Sequence, residues 1–256
     1  MTVDATKVKR PIIYRPEPAQ TFLNLLVYGD PGVGKTTLAE SANRCEYTAP
    51  ALIANVEGGM LSIVGNKPDV VDIGSYQDLE EVFWWLASGD HEYRTFVIDS
   101  LNEAQELNLD SIVTGHLSTT TKKGASRSGI DDRWLDDFGD SASQMGRLLR
   151  NFRDLPMHTM FTCLARTRDE DGEAVVKPHL TPALCGRVMQ YMDIVGYLYT
   201  QEVASEEEEG MPTTHRRLLC QPFGRYSAKD RSGRLGTIVD NPTINSLMGL
   251  ILREEE

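Results

Sequence analysis

Short apolar runs alternate along the chain with stretches in which apolar residues return every three or four positions. Such a pattern predicts buried strands interleaved with amphipathic helices. Phe22–Tyr28 (FLNLLVY) is the first apolar run and reads as a buried parallel strand. A helix is expected over Lys35–Asn43, a strand over Ala51–Val56 and an amphipathic helix over Gln77–Ser88. Thr95–Ile98 reads as a strand ending at Asp99, followed by a helix from Leu101 to Thr114. Met145, Leu148, Leu149 and Phe152 recur at helical spacing and predict a helix over Asp137–Asp154. Thr159–Ala165 reads as a strand and 166–180 as a turn-rich hairpin. Asp193–Thr200 and Arg216–Gln221 follow as strands, Arg225–Ala228 as a late strand and Pro242–Leu252 as a closing helix. The fold class expected is α/β, a mainly parallel central sheet flanked by helices, with antiparallel strands added late.

Three segments lack this periodicity. Residues 1–20 carry Lys7, Lys9, Arg10 and Arg15 among three prolines, which suits an extended arm. That arm is either loose or docked on a neighbouring subunit. Residues 115–133 are rich in Ser, Thr and Gly and form a long loop, a kind that inside a compact domain is usually functional or disordered. Glu206–Glu209 reads as the solvated tip of a hairpin.

Composition narrows the class. A chain of 256 residues, 40% hydrophobic and 25% charged, suits a soluble globular core. No run of eighteen apolar residues occurs and the N-terminus lacks the apolar stretch of a secretory signal, so no membrane partner and a cytoplasmic location are expected. The four cysteines form no C-x-x-C pair and read as buried free thiols, and the five histidines are too scattered for a zinc site. A net charge of −12 argues against coating duplex DNA by bulk electrostatics but leaves room for local basic loops.

The chemistry concentrates in one loop. Gly29-Asp30-Pro31-Gly32-Val33-Gly34-Lys35-Thr36, continued by Thr37, satisfies G-x-x-x-x-G-K-[ST] and lies between an expected strand and an expected helix. Glycines let successive backbone N–H groups turn inward onto phosphate oxygens. Lys35 is expected to bridge the β- and γ-phosphates of ATP, and the Thr36 hydroxyl to ligate Mg²⁺. Asp99 closes an apolar strand, where ligands gather in open α/β sheets, and is the expected second Mg²⁺ partner. Glu57 follows the strand in NVEGG and is the candidate for orienting the attacking water, with Glu103 its competitor.

Together these residues resemble the RecA/RadA/DnaB group of P-loop ATPases. In that group a glutamate after the second strand activates water, as Glu57 would, and an aspartate one strand later holds the metal, as Asp99 would. Ala228–Gly236 (AKDRSGRLG) looks like the K-x-R segment that reaches a neighbouring subunit's ATP site, with Lys229 and Arg231 in the matching places. Two cations on alternate residues of a strand face one side, where γ-phosphate charge develops. Surface charges flanking a turn are the plainer reading of that segment.

More narrowly, YGDPGVGKTTLA, FVIDSLNEA, WLDDFG, LRNFRDLP and RRLLCQPFGRYSAKDRSG resemble phage core-only RecA-like ATPases of the single-strand-annealing type. The resemblance implies a RecA-like core over 21–252, between the arm and an acidic tail at 253–256. It also implies a homo-oligomer, single-stranded DNA as partner, a single-strand-binding protein as a further one, and the cytoplasm of a bacterial host. The two DNA-facing loops of such proteins map to 115–133, with Lys122, Lys123 and Arg127, and to 166–180, with Arg166, Arg168 and Lys177. Arg166, at a strand end, is further expected to sense the nucleotide. Other readings stay open: a helicase-type or helicase-loading motor, a monomeric small-molecule phosphotransferase, or a module in which ATP only locks an assembly.

Overall fold

The computed structural model describes residues 22–117, 129, 131–203 and 213–253. The expected arm, the cations Lys122, Lys123 and Arg127, the acidic tip and residues 254–256 lie outside them. The strands are β1 (Asn24–Gly29), β2 (Ala51–Asn55), β3 (Asp69–Asp72), β4 (Thr95–Asp99), β5 (His158–Glu170), β6 (Glu173–Pro178), β7 (Ile194–Val203), β8 (Thr213–Leu219), β9 (Lys229–Asp230) and β10 (Ile238–Asp240). The helices are α1 (Lys35–Glu40), α2 (Tyr76–Ser88), α3 (Leu101–Gly115), α4 (Leu135–Arg153), α5 (Pro182–Tyr191) and α6 (Ile244–Ile251).

The strands join one sheet in the order β10-β8-β7-β1-β5-β4-β2-β3, with β6 paired to β5 and β9 to β7. From β7 to β3 all neighbours are parallel, and β6, β8, β9 and β10 are the antiparallel additions. This is the α/β class that the apolar pattern predicts. The central strands are apolar on both faces because both are covered: β1 and β4 are buried throughout. One face packs Leu26, Tyr28, Phe96 and Phe161 against α2–α5. The other packs Leu25, Val27, Val97 and Met160 against α1 and α6.

Two local readings change, and three elements are added. The helix expected over Lys35–Asn43 is α-helical only to Glu40 and tightens into a 3-10 turn over Ser41–Arg44. Arg225–Ala228 is no strand: Gly224 turns with φ +54°, and the chain crosses β6, with Val176 N–H donating to Arg225 O, before pairing at β9. Helix α5 and strands β3 and β10 are additions to the expected pattern. Pro182 opens α5, where its missing N–H has no partner to lose.

Candidate active site

The ends of β1, β2 and β4 bring the phosphate loop and its acidic partners to one edge of the sheet. Gly29 closes β1 against β7 so tightly that a β-carbon there would lie 2.2 Å from Leu198 O. Gly32 and Gly34 take φ +78° and +95°, a region that side chains with a β-carbon rarely enter. Val33 anchors the loop in the core, while Asp30 and Pro31 stay exposed. α1 starts at Lys35, with Leu38 N–H donating to Gly34 O at 2.9 Å, and Thr37 sits in its first turn.

Lys35 is buried, and its ammonium donates to Gly29 O at 3.1 Å and Asp30 O at 2.9 Å. Burial pushes its pKa down, against the pull of the nearby Glu57 and Asp99 carboxylates. The Thr36 hydroxyl donates to Asp99 Oδ2 at 2.6 Å. Asp99, 3% exposed, also accepts from the Thr162 hydroxyl of β5 at Oδ1. Glu57 is tied to the same strand end, its N–H donating to Asp99 O at 3.3 Å, and its carboxylate is exposed. Glu57 thus acts on the Lys35 charge, while Glu103 lines a separate cavity beyond α3.

The loop fits a nucleoside triphosphate with Mg²⁺. Thr36 and Asp99 converge as a hydroxyl and a carboxylate, the hard oxygen set that Mg²⁺ takes alongside substrate phosphates. Among the described residues no group of three or more His, Cys, Asp and Glu gathers as a metal site, so most of the shell would come from phosphate and water. The bound ion would neutralise charge on the transferring phosphoryl group. Lys35 would hold the phosphates, and Glu57 would orient water.

The second set of predicted residues surrounds a cavity of about 860 Å³ between α3, the start of α4, the β5–β6 hairpin and α5. Its lining brings Arg166, Arg168 and His179 together with Glu103, Glu106 and Asp169. Arg166 contacts His179 Nε2 at 3.3 Å, and Arg168 donates to Leu180 O. Lys177 is paired with Glu170 at 2.5 Å. Burial and then the charges of Arg166 and Arg168 lower the His179 pKa.

Lys229 and Arg231 lie together but far from the loop of their own chain. The Lys229 ammonium donates to Met189 O at 2.5 Å, and Arg231 donates to Gln190 O at 2.8 Å and pairs with Asp193 at 3.2 Å. β9 pairs with Ile194 and Val195 at the start of β7, level with the start of β1. The phosphate loop follows the other end of β1, roughly 17 Å away for five residues of strand. Thr162 was invisible to sequence reasoning: a threonine inside an apolar run carries no motif, and its partner is 63 residues away.

A parallel sheet with helices on both faces, a glycine loop closing on a buried lysine, and a threonine–aspartate pair beside it define a P-loop ATPase domain. The chain belongs to the AAA domain family (AAA_24), which matches residues 21–232. No curated protein matches it. Among solved structures it is similar to a KaiC-like protein of the hyperthermophilic archaeon Pyrococcus horikoshii OT3, at 16% identity over 86% of this chain and 89% of that one, with a TM-score of 0.43. It is also similar to a second solved ATPase domain, at 12% identity over 85% and 79% of the two chains, with a TM-score of 0.44. Among the described residues no helix is long and apolar enough to cross a membrane.

Proposed function

We propose that this chain is a RecA-like ATPase that hydrolyses ATP with Mg²⁺ and acts on single-stranded DNA in phage recombination or annealing. The observation that carries the reading is the place of β5. It pairs with β1 on one side and β4 on the other, so one strand adjoins both the phosphate loop and Asp99. Thr162 on that strand donates to Asp99. Four residues later Arg166 lines the cavity together with Arg168. A change at the nucleotide thus has a short rigid path to the surface where a DNA backbone would lie.

Lys229 and Arg231 serve an ATP site only in trans, given their distance from their own loop, so the proposal includes a homo-oligomer. The test is the ATPase rate with and without single-stranded DNA, with particle size measured in the same samples. Stimulation with assembly supports the reading, and an unresponsive monomer refutes it. Glu57→Gln should cut hydrolysis by about 10²-fold or more and leave ATP binding within a few-fold, as expected for loss of a positioned base.

A further inference from the structure

One cation touches the phosphate loop without belonging to its motif. Arg216 lies on β8, opposite Thr200 of β7. Its backbone is fixed from the other side by Asn241, which donates to Arg216 O at 2.7 Å and accepts from Arg216 N–H at 3.2 Å. The side chain runs to the loop: a β-carbon built on Gly34 would lie 2.8 Å from Arg216 Nε and 2.9 Å from its Cζ. The guanidinium therefore rests on the glycine that precedes Lys35.

The neighbouring Arg217 is occupied, pairing with Asp240 at 2.7 Å and donating to Gln201 at 2.6 Å. Arg216 is exposed, and among the described residues its guanidinium has no hydrogen bond and no ion pair. An arginine laid on Gly34, with its fork of donors free, is matched to a planar or tetrahedral oxyanion. The sheet order puts β8 and β4 on opposite sides of β1, so Arg216 and Asp99 flank the loop from opposite sides.

We propose that Arg216 is a second cation of the nucleotide site, supplied in cis from β8, that grips the phosphate tail of a bound nucleoside di- or triphosphate. This rests on the reading of 29–36 as a phosphate loop. With Arg216 in place, phosphate would be held between two unlike cations: the buried ammonium of Lys35, and a guanidinium at the exposed lip beside Gly34.

The test is titration of the full chain with fluorescent ADP and ATP analogues in Mg²⁺, at low and high salt. Four variants are compared: Arg216→Met, which keeps an apolar stem on Gly34, Arg216→Lys, Arg216→Ala and Lys35→Ala. Arg216→Met should weaken both nucleotides about tenfold, the effect of losing one charge-assisted hydrogen bond, and flatten the salt dependence. Arg216→Lys should fall between it and the parent. Binding by Arg216→Met within twofold of the parent at both salts, with Lys35→Ala impaired, would overturn the proposal and leave the phosphate loop standing. Unchanged binding by Lys35→Ala would sink the underlying reading as well. A loss in Arg216→Ala that Arg216→Met fully restores would make the side chain a prop for Gly34 and refute the contact.

Discussion

Thr162→Val isolates the support of Asp99, the aspartate proposed to hold Mg²⁺. Asp99 is 3% exposed and has two hydroxyl donors, Thr36 and Thr162. Valine keeps the shape of threonine and removes one donor, so no cavity opens and the whole effect falls on the carboxylate. A hydrogen bond to a charged group contributes about 1.5–3 kcal/mol, and a buried acceptor deprived of its donor has no water to replace it. At about 2 kcal/mol, a chain of this size should melt about 4–8 °C lower. The same loosened carboxylate should raise the Mg²⁺ concentration needed for half-maximal ATP hydrolysis by about tenfold, since each 1.4 kcal/mol is one decade. Scanning calorimetry and a Mg²⁺ titration of ATPase rate read the two effects. In an Asp99→Asn background both should shrink. A melting point within about 1 °C of the parent together with an unmoved Mg²⁺ midpoint would show that Thr162 does not hold Asp99.

Two further substitutions probe the frame around the site. His158 Nδ1 accepts from Leu23 N–H at 2.9 Å, and burial lowers its pKa below 6.5. The unfolded chain therefore takes up this proton first, and stability that is complete above pH 6.5 drains as the pH falls toward the folded value. His158→Asn keeps an acceptor without the titration, so urea unfolding between pH 7 and pH 5 should show a shallower slope, by at most about 1.4 kcal/mol per pH unit; an unchanged slope refutes this. Gly29→Ala sets a methyl against the Leu198 carbonyl, whereas Gly196→Ala meets the movable end of Leu218, at 2.5 Å. Gly196→Ala should cost about 1–3 kcal/mol and Gly29→Ala more, and denaturant unfolding with the reverse ranking contradicts the geometry.

What the sequence disclosed depends on how local the cause is. β1 and β4 are apolar runs buried on both faces, and the runs located them to within two residues. α4 spans Leu135–Arg153 where periodicity placed Asp137–Asp154, the difference lying in the start, where the Asp137 carboxylate accepts from Trp134 N–H. β3 escaped notice because DVVD is four residues with an acid at each end on an exposed edge, so burial leaves little mark. The phosphate loop was legible because its function resides in the backbone conformation of eight consecutive residues. Thr162 and Arg216 were not legible, because each acquires its partner only when β5 and β8 take their places in the sheet.

The same sheet order explains why the loop needs help from distant segments. β1 has only two neighbours, β5 and β7. The β5 side supplies a strand that reaches Asp99 and the cavity lined by Arg166 and Arg168, and the β7 side leads to β8 and Arg216. A phosphate loop by itself holds any polyphosphate through main-chain amides. Discrimination and response must therefore come from side chains that arrive from both flanks. In this chain those flanks carry Thr162 and Arg216, on two strands separated by β6, α5 and the whole of β7. A change in either flank alters what the loop can sense while the G-x-x-x-x-G-K-[ST] pattern stays intact. The motif fixes that the domain binds phosphate, and the strands beside it determine what binding does.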